Sequence, residues 1–175
     1  FEMQNVITRK ELVDNVAEYG DTSPDTRLKV SLTGRNPDDG ISMIPYVKGY
    51  AFLRVIENAV GREKFDVFIK NYFDTHAFKS ITTEDFIKYY NENLIKGDKA
   101  LADKIKAEDW IYKPGIPSNI TSVSSVDFDA IDKIQKSWRT TGVKGLSKKI
   151  TTTTEKQHFI DHLPTDITPK EMEAI

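Results

Sequence analysis

A tyrosine and an aspartate in one short segment are the residues of this sequence best suited to chemistry. The segment covers residues 36–50 and reads Asn-Pro-Asp-Asp-Gly-Ile-Ser-Met-Ile-Pro-Tyr-Val-Lys-Gly-Tyr. The phenol of Tyr46 can donate a hydrogen bond, and the carboxylate of Asp38 can accept several. Each has an ordinary alternative. Tyr46 could be a core residue whose hydroxyl is satisfied inside the protein, and Asp38 could be a turn residue that bonds its own backbone.

The same segment predicts a turn followed by the start of a helix. Proline, two aspartates and glycine at residues 37–40 are all turn formers. Ser42 is the predicted cap of the helix, and Pro45 suits an early helical position, where no amide donor is needed. The apolar residues that follow extend to about Val60 and cover most of the helix circumference. We therefore expect a helix that is buried on several sides and carries Tyr46 at its beginning.

The rest of the chain also reads mainly as helices. Thr8 is the predicted cap of a helix that ends near Glu18, and residues 27–33 alternate in polarity, which predicts a short extended segment. Further helices are predicted near residues 65–73, 82–94, 99–110, 127–138 and 155–162, and from 169 onward. The predicted fold class is mostly all-α. We expect residues 1–118 to form a helical lobe and residues 119–175 to begin a second helical domain.

Composition sets limits on the class of protein. The 175 residues have a formal net charge of −2, are 38% hydrophobic and include no cysteine, which excludes disulfides and thiolate metal sites. The near-neutral charge gives no reason to expect nucleic acid or an acidic membrane as a partner, and no apolar run is long enough to span a bilayer. The sequence begins at Phe1 and ends soon after a capping box at Thr168, so we expect a fragment of a longer chain.

Other patterns that could carry chemistry are incomplete. His158 and His162 have the spacing of two zinc ligands on one helix face, but phenylalanine takes the place of a general-base glutamate, and a surface histidine pair is the ordinary interpretation. The chain has no Gly-x-Ser-x-Gly elbow and no phosphate-binding loop. The lysine-rich passage 144–149 lacks interleaved aromatics and predicts a solvated loop. The sequence therefore predicts no metal site.

Four segments in a fixed order carry a family resemblance. They are Pro24-Asp-Thr-Arg27, the stretch from Pro37 to Tyr50, Ser80-Ile-Thr-Thr-Glu-Asp85, and Trp110-Ile-Tyr-Lys-Pro-Gly-Ile-Pro117. Together they resemble the zinc aminopeptidases of peptidase family M1, and within them the branch that contains leukotriene A4 hydrolase. The resemblance is strong from about Asp21 to Pro117 and weak elsewhere.

The resemblance implies a role for each candidate residue. In this family a thermolysin-like catalytic domain holds zinc through a His-Glu-x-x-His helix and a more distal glutamate, all upstream of the region that this sequence resembles. Tyr46 falls on the family's catalytic tyrosine, which donates a hydrogen bond to the oxyanion formed when zinc-bound water attacks a peptide carbonyl. Asp38 falls on an aspartate that lines the substrate pocket.

The sequence also departs from the family pattern. Ile41 stands where leukotriene A4 hydrolase has a second pocket tyrosine, which favours peptide hydrolysis over epoxide hydrolysis. Three further features of the family are not in this sequence. They are the zinc ligands, the Gly-x-Met-Glu-Asn motif that binds the substrate amine, and the C-terminal basic residues that would bind a substrate carboxylate. We therefore expect these 175 residues alone to bind no catalytic zinc and to be inactive.

Three hypotheses of function stay open at this point. The first is a fragment of a zinc aminopeptidase, with peptides as substrates and the upstream catalytic and N-terminal domains of the same chain as partners. The second is a non-catalytic helical binding or scaffold module with the same fold, and the third is a free-standing helical adaptor. The preferred N-terminal residue, the compartment and the oligomeric state also stay open.

Overall fold

The computed structural model describes residues 1–142 and 149–174, and these residues form an all-α structure with no strand. The predicted fold class is therefore confirmed. The helices are α1 (Glu2–Tyr19), α2 (Ile44–Val60), α3 (Arg62–His76), α4 (Thr83–Tyr90), α5 (Lys99–Ile105), α6 (Ala107–Tyr112), α7 (Val126–Thr141), α8 (Thr153–Asp161) and α9 (Pro169–Ala174). Helix α4 continues directly into a π-helical turn, Asn91–Ile95. No helix in the described ranges is long and apolar enough to cross a membrane.

The chain divides into two compact units. The larger comprises Thr8–Ser122, and the smaller comprises Phe1–Ile7 with Val123–Ile175. In the larger unit α2 is the central helix, because α3, α5 and α6 all pack against it. Its core includes the fully buried Ile56 and Trp110, and the ring of Phe52 stacks on that of Trp110 with centroids 5.8 Å apart. Asn119 accepts a hydrogen bond from the Trp110 indole N–H and donates to the carbonyl groups of Lys104 and Ile105.

The smaller unit has its own apolar cluster. Its buried members are Phe128, Ile131, Trp138, Ile150 and Phe159, with Met3, Val6 and Ile7 packed against them. Reciprocal capping boxes begin α8 at Thr152 and α9 at Thr168, the second as predicted. The lysine-rich passage lies largely within residues 143–148, outside the described ranges.

The structure bears on two local predictions, and it contradicts one of them. Helix α1 begins at Glu2 rather than after Thr8, because Met3, Val6 and Ile7 extend its apolar contacts toward the N-terminus. Residues 27–33, predicted as a short extended segment, form neither a helix nor a paired strand. Leu28 packs against the larger core, and Lys29 donates its backbone N–H to the carbonyl of Ile111 and pairs with Glu84. The alternation therefore reflects contacts of an irregular segment with helices.

Candidate functional site

Tyr46 lies in the first turn of α2, as the sequence predicted. The helix begins at Ile44 with Pro45 beside it, and the backbone N–H of Tyr46 donates to the carbonyl of Met43 at 3.0 Å. The side chain is 71% exposed, so the interpretation of Tyr46 as a core residue is wrong for this structure. Its hydroxyl has no hydrogen-bond partner among the described residues and is free to donate to a bound molecule.

The predicted cap of α2 is only partly present. The Ser42 hydroxyl accepts a hydrogen bond from the N–H of Ile44 at 3.3 Å. The helix N-cap itself is Met43, whose backbone is already helical and which supplies no side-chain cap. One N–H at the beginning of α2 is therefore satisfied by a side chain, which belongs to the residue before the N-cap.

Asp38 lies in the turn that precedes α2. Residues Pro37–Gly40 form a 3-10 turn, and the side chain of Asn36 accepts the N–H of Asp38 at 3.1 Å. Asn36, rather than Asp38, thus provides the side-chain cap of the turn, and the exposed Asp38 carboxylate has no ion-pair partner in the part of the chain that the structure describes. Asp38 and Tyr46 lie on the same exposed segment, and no hydrogen bond joins them within the described residues.

An ion pair holds this turn onto the preceding loop. The guanidinium of Arg35 binds both carboxylate oxygens of Asp25, at 2.5 and 3.3 Å, and its Nε lies 4.0 Å from Asp39. The hydrogen bond to Asp25 is the main cause that raises the pKa of Arg35. Bidentate pairing of this kind fixes orientation as well as distance. The segment that carries Asp38 is therefore tied at its first residues.

Lys48 anchors the inner side of the same helix start. Its side chain is fully buried, and its Nζ donates to the carbonyl oxygens of Thr26 at 2.8 Å and Lys113 at 2.9 Å. Burial lowers the pKa of Lys48 to about 8, and the positive charge of Arg27 adds to this effect. A neutral amine still has two N–H groups, so both hydrogen bonds can persist in either protonation state.

The two carbonyl groups that bind Lys48 belong to segments that are themselves joined. The fully buried hydroxyl of Thr26 accepts the N–H of Gly115 at 2.8 Å and donates to the carbonyl of Ser23 at 2.7 Å. Gly115 has a φ of +70°, and a Cβ there would lie 2.8 Å from the backbone oxygen of Asp21. We call Lys48, Thr26, Lys113 and Gly115 the lysine node. It joins three of the four segments that carried the family resemblance.

Sequence reasoning gave the lysine node no role. A signal was present, because Lys48 occupies a position within the apolar stripe of α2, between Val47 and Ala51. A lysine on a buried helix face must find hydrogen-bond acceptors, and here they come from loops far away in sequence. Its acceptors could not be read from the local pattern.

The two histidines of the predicted pair contact neighbouring side chains and backbone. The His158 ring stacks on Phe128 with centroids 3.8 Å apart, and its Nε2 lies 2.8 Å from Asp132. His162 Nδ1 lies 2.8 Å from the carbonyl oxygen of His158. No group of three or more histidine, cysteine, aspartate or glutamate side chains in the described ranges could hold a metal ion. The described residues thus do not fit a catalytic zinc site.

Comparison with known proteins assigns the family. Residues 4–109 match the model of the peptidase family M1 domain, which is more than half of the chain and includes both Asp38 and Tyr46. The chain belongs to peptidase family M1. The matched part of this M1 chain also includes α2 and Thr26, one of the two residues whose carbonyl groups bind Lys48. The other, Lys113, follows the matched part.

Curated relatives agree with this assignment. The M1 chain is 34% identical over 146 residues to leucine aminopeptidase 2 of Coccidioides immitis, covering 82% of this chain and 23% of that protein. It is 36% identical over 143 residues to a leukotriene A-4 hydrolase homolog of Botryotinia fuckeliana, covering 78% and 21% respectively. The chain thus spans about a quarter of the length of these relatives.

The fold resembles that of yeast LTA4 hydrolase, solved in complex with bestatin. The TM-score is 0.78 at 22% identity, and the match covers 98% of this chain and 29% of that one. This likeness supports the all-α fold.

Proposed function

We propose that this M1 chain is part of a zinc-dependent aminopeptidase that removes N-terminal residues from peptides. The observation that carries the proposal is the position of Tyr46, an exposed phenol at an anchored helix start within the M1 match. Relatives named leucine aminopeptidase 2 and leukotriene A-4 hydrolase homolog support a hydrolase of this class. Peptide hydrolysis is the preferred activity, because Ile41 stands where the leukotriene A4 hydrolase branch has a second pocket tyrosine.

In the proposed reaction, Tyr46 acts on the oxygen of the scissile carbonyl. Nucleophilic attack on the carbonyl carbon moves an electron pair onto that oxygen, and the Tyr46 O–H donates a hydrogen bond to the negative charge that develops. The bond is stronger in the transition state than in the substrate complex, so it accelerates the reaction. A single oxyanion donor of this type typically contributes on the order of 10²–10³ in kcat.

Asp38 is proposed to line the substrate pocket on the same surface. Its carboxylate is exposed and is not needed to cap its own turn, since Asn36 does that. It can therefore accept hydrogen bonds from a substrate or favour a positively charged group. Asp38 has this binding role in the proposal and takes no part in bond cleavage.

The cofactor and the domain partners are part of the same proposal. Zinc is the proposed cofactor of the full-length gene product, with ligands in its upstream catalytic domain, because the described residues of this chain do not form a zinc site. The chain by itself is accordingly proposed to be inactive. Its substrates are peptides, and its partners are the catalytic and N-terminal domains of the same polypeptide. No nucleic acid or membrane is part of the proposed reaction.

Aminopeptidase assays test this proposal directly. The full-length gene product and the 175-residue chain are each assayed on a panel of aminoacyl fluorogenic substrates, and their zinc content is measured on the same samples. We expect the gene product to turn over substrate and to bind one zinc ion per molecule, and the 175-residue chain to do neither. A gene product without zinc and without turnover on any substrate would favour the helical scaffold module instead.

A further inference from the structure

We propose that Lys48 is a positioning residue for Tyr46, and that the lysine node sets the orientation of the Tyr46 hydroxyl toward substrate. This inference rests on the proposed function. Lys48 does not reach the exposed surface, so it cannot touch a substrate itself. It acts through the backbone of the first two turns of α2.

The geometry of α2 places the two side chains on different sides of one turn. Residues that are two positions apart in an α-helix, such as 46 and 48, point about 200° apart around the helix axis. In agreement with this, Tyr46 is 71% exposed while Lys48 is fully buried. A constraint on Lys48 therefore fixes the rotation and the height of the turn that presents Tyr46, without covering the phenol.

The lysine node adds to the few side-chain bonds at the beginning of α2. Its N-cap residue, Met43, supplies no side-chain hydrogen bond, and the Ser42 hydroxyl accepts one N–H, that of Ile44, at 3.3 Å. The two hydrogen bonds from Lys48 join this turn to the carbonyl groups of Thr26 and Lys113, and the hydroxyl of Thr26 in turn holds the N–H of Gly115. The start of α2 is thus attached to two loops that are bonded to each other.

A lysine at this position has an electrostatic cost. Burial and the nearby charge of Arg27 both disfavour the ammonium form. Its two hydrogen bonds offset part of this cost, because they satisfy the carbonyl groups of Thr26 and Lys113. The lysine carries these electrostatic costs and in return gives two directional bonds at the turn that holds Tyr46.

A double-mutant cycle on the full-length gene product tests the inference. The values of kcat, KM and zinc content are measured for the wild type, Lys48→Met, Tyr46→Phe and the double variant. Lys48→Met is expected to lower kcat by roughly ten- to a hundred-fold, because small misplacements of a catalytic group are costly. Its KM and zinc content are expected to stay within about two-fold of wild type, since neither depends on the orientation of the oxyanion donor. The double variant is expected to be no slower than Tyr46→Phe, because an absent hydroxyl cannot be misplaced.

Ile56→Val is the matched control for core damage. Ile56 is fully buried on the same helix and belongs to the same apolar core as the helix start. Its substitution should lower the thermal midpoint while leaving kcat unchanged at temperatures where the protein is folded. If Lys48→Met fails to fold, Thr26→Val replaces it, because that change loosens the segment to which Lys48 binds. Thr26→Val should lower kcat less than Lys48→Met does, and it should not lower kcat further when Tyr46 is already phenylalanine.

The outcomes separate the inference from the proposed function. Suppose that Tyr46→Phe is slow. If Lys48→Met then keeps full kcat, or if the loss of kcat in the double variant equals the product of the two single losses, the positioning role is overturned and the proposed function stands. If Tyr46→Phe keeps full kcat, the proposed role of Tyr46 fails and the positioning role fails with it. A non-additive loss of kcat with normal KM and zinc content supports both.

Discussion

The Nζ atom of Lys48 lies 2.9 Å from the carbonyl oxygen of Lys113, so the first turns of α2 are bonded to the segment that follows α6. A second bond, to Thr26, joins the same ammonium to the loop after α1. Residues distant in sequence thus meet at one buried group beneath the exposed Tyr46. The candidate site is built on this relationship, and most of its testable consequences follow from it.

The buried lysine predicts an unusual pH dependence of stability. Its pKa is about 8 in the folded protein and 10.5 when unfolded, so between these values the unfolded chain binds more protons. The free energy of unfolding should therefore rise with pH, by about 2 kcal/mol from pH 7 to pH 9.5. We expect the rise to end near pH 9.5 because of Tyr90. Burial raises the pKa of Tyr90 far above its ordinary value, so at higher pH this tyrosine ionises in the unfolded chain and not in the folded protein, which favours unfolding.

Urea unfolding of the 175-residue chain measures this effect. Trp110 fluorescence reports on the unit that contains Lys48, and a Trp138→Phe background removes the other tryptophan. Lys48→Met in that background should abolish the rise, since methionine does not titrate. If the free energy of unfolding rises just as steeply with pH in the methionine variant, groups other than Lys48 cause the effect.

The backbone of Gly115 predicts a large difference between two glycine substitutions. Gly115 and Gly97 both have positive φ, +70° and +81°, so alanine is strained at either position. Only at Gly115 would the new Cβ meet a fixed atom, the Asp21 backbone oxygen at 2.8 Å, whereas nothing lies within 4 Å at Gly97. Gly97→Ala should cost about 1 kcal/mol of unfolding free energy, and Gly115→Ala at least about 2 kcal/mol more.

The same unfolding assay, read at Trp110, compares these two variants. Equal losses at the two glycines would mean that the contact of residues 115 and 21 relaxes without cost, and the lysine node would then be less rigid than the structure indicates.

Asp38 predicts a change in substrate preference. If its carboxylate lines the pocket, Asp38→Asn should lower kcat/KM for peptides with a positively charged group near the cleaved bond by about tenfold, with a smaller effect on neutral peptides. Asp39→Asn is the matched control, because Asp39 lies in the same exposed turn with Arg35 4.0 Å away. Steady-state kinetics of the full-length gene product on paired charged and neutral substrates measures the difference. Identical profiles for the two variants would remove Asp38 from the pocket.

Much of the fold could be predicted from local sequence, because helices carry local signals. The capping box of Thr82 with Asp85 and that of Thr168 with Glu171 are both present, and the all-α class follows from apolar stripes of helical period. The start of α1 was misplaced because Thr8 has the pattern of a cap while tertiary contacts of Met3 and its neighbours extend the helix. Propensity signals of this kind are readily overridden by packing.

The candidate site was predictable only in part. The exposed position of Tyr46 at a helix start agrees with its sequence context, although pattern alone favoured a core residue. Lys48 was visible as a polar residue in an apolar stripe, but its partners, Thr26 and Lys113, are fixed by how the loops pack and not by spacing. Whether Tyr46 and Asp38 carry the proposed roles stays a prediction, which kinetics must decide.

The decisive measurement for the proposed oxyanion role is the kcat of Tyr46→Phe in the full-length gene product. Tyr19→Phe serves as the control, since it removes the hydroxyl of another exposed tyrosine in the same unit. We expect Tyr46→Phe to keep its zinc and to lose on the order of 10²–10³ in kcat, with Tyr19→Phe close to wild type. An active gene product whose Tyr46→Phe variant retains full kcat would contradict this role, because the oxyanion would then be stabilised without Tyr46.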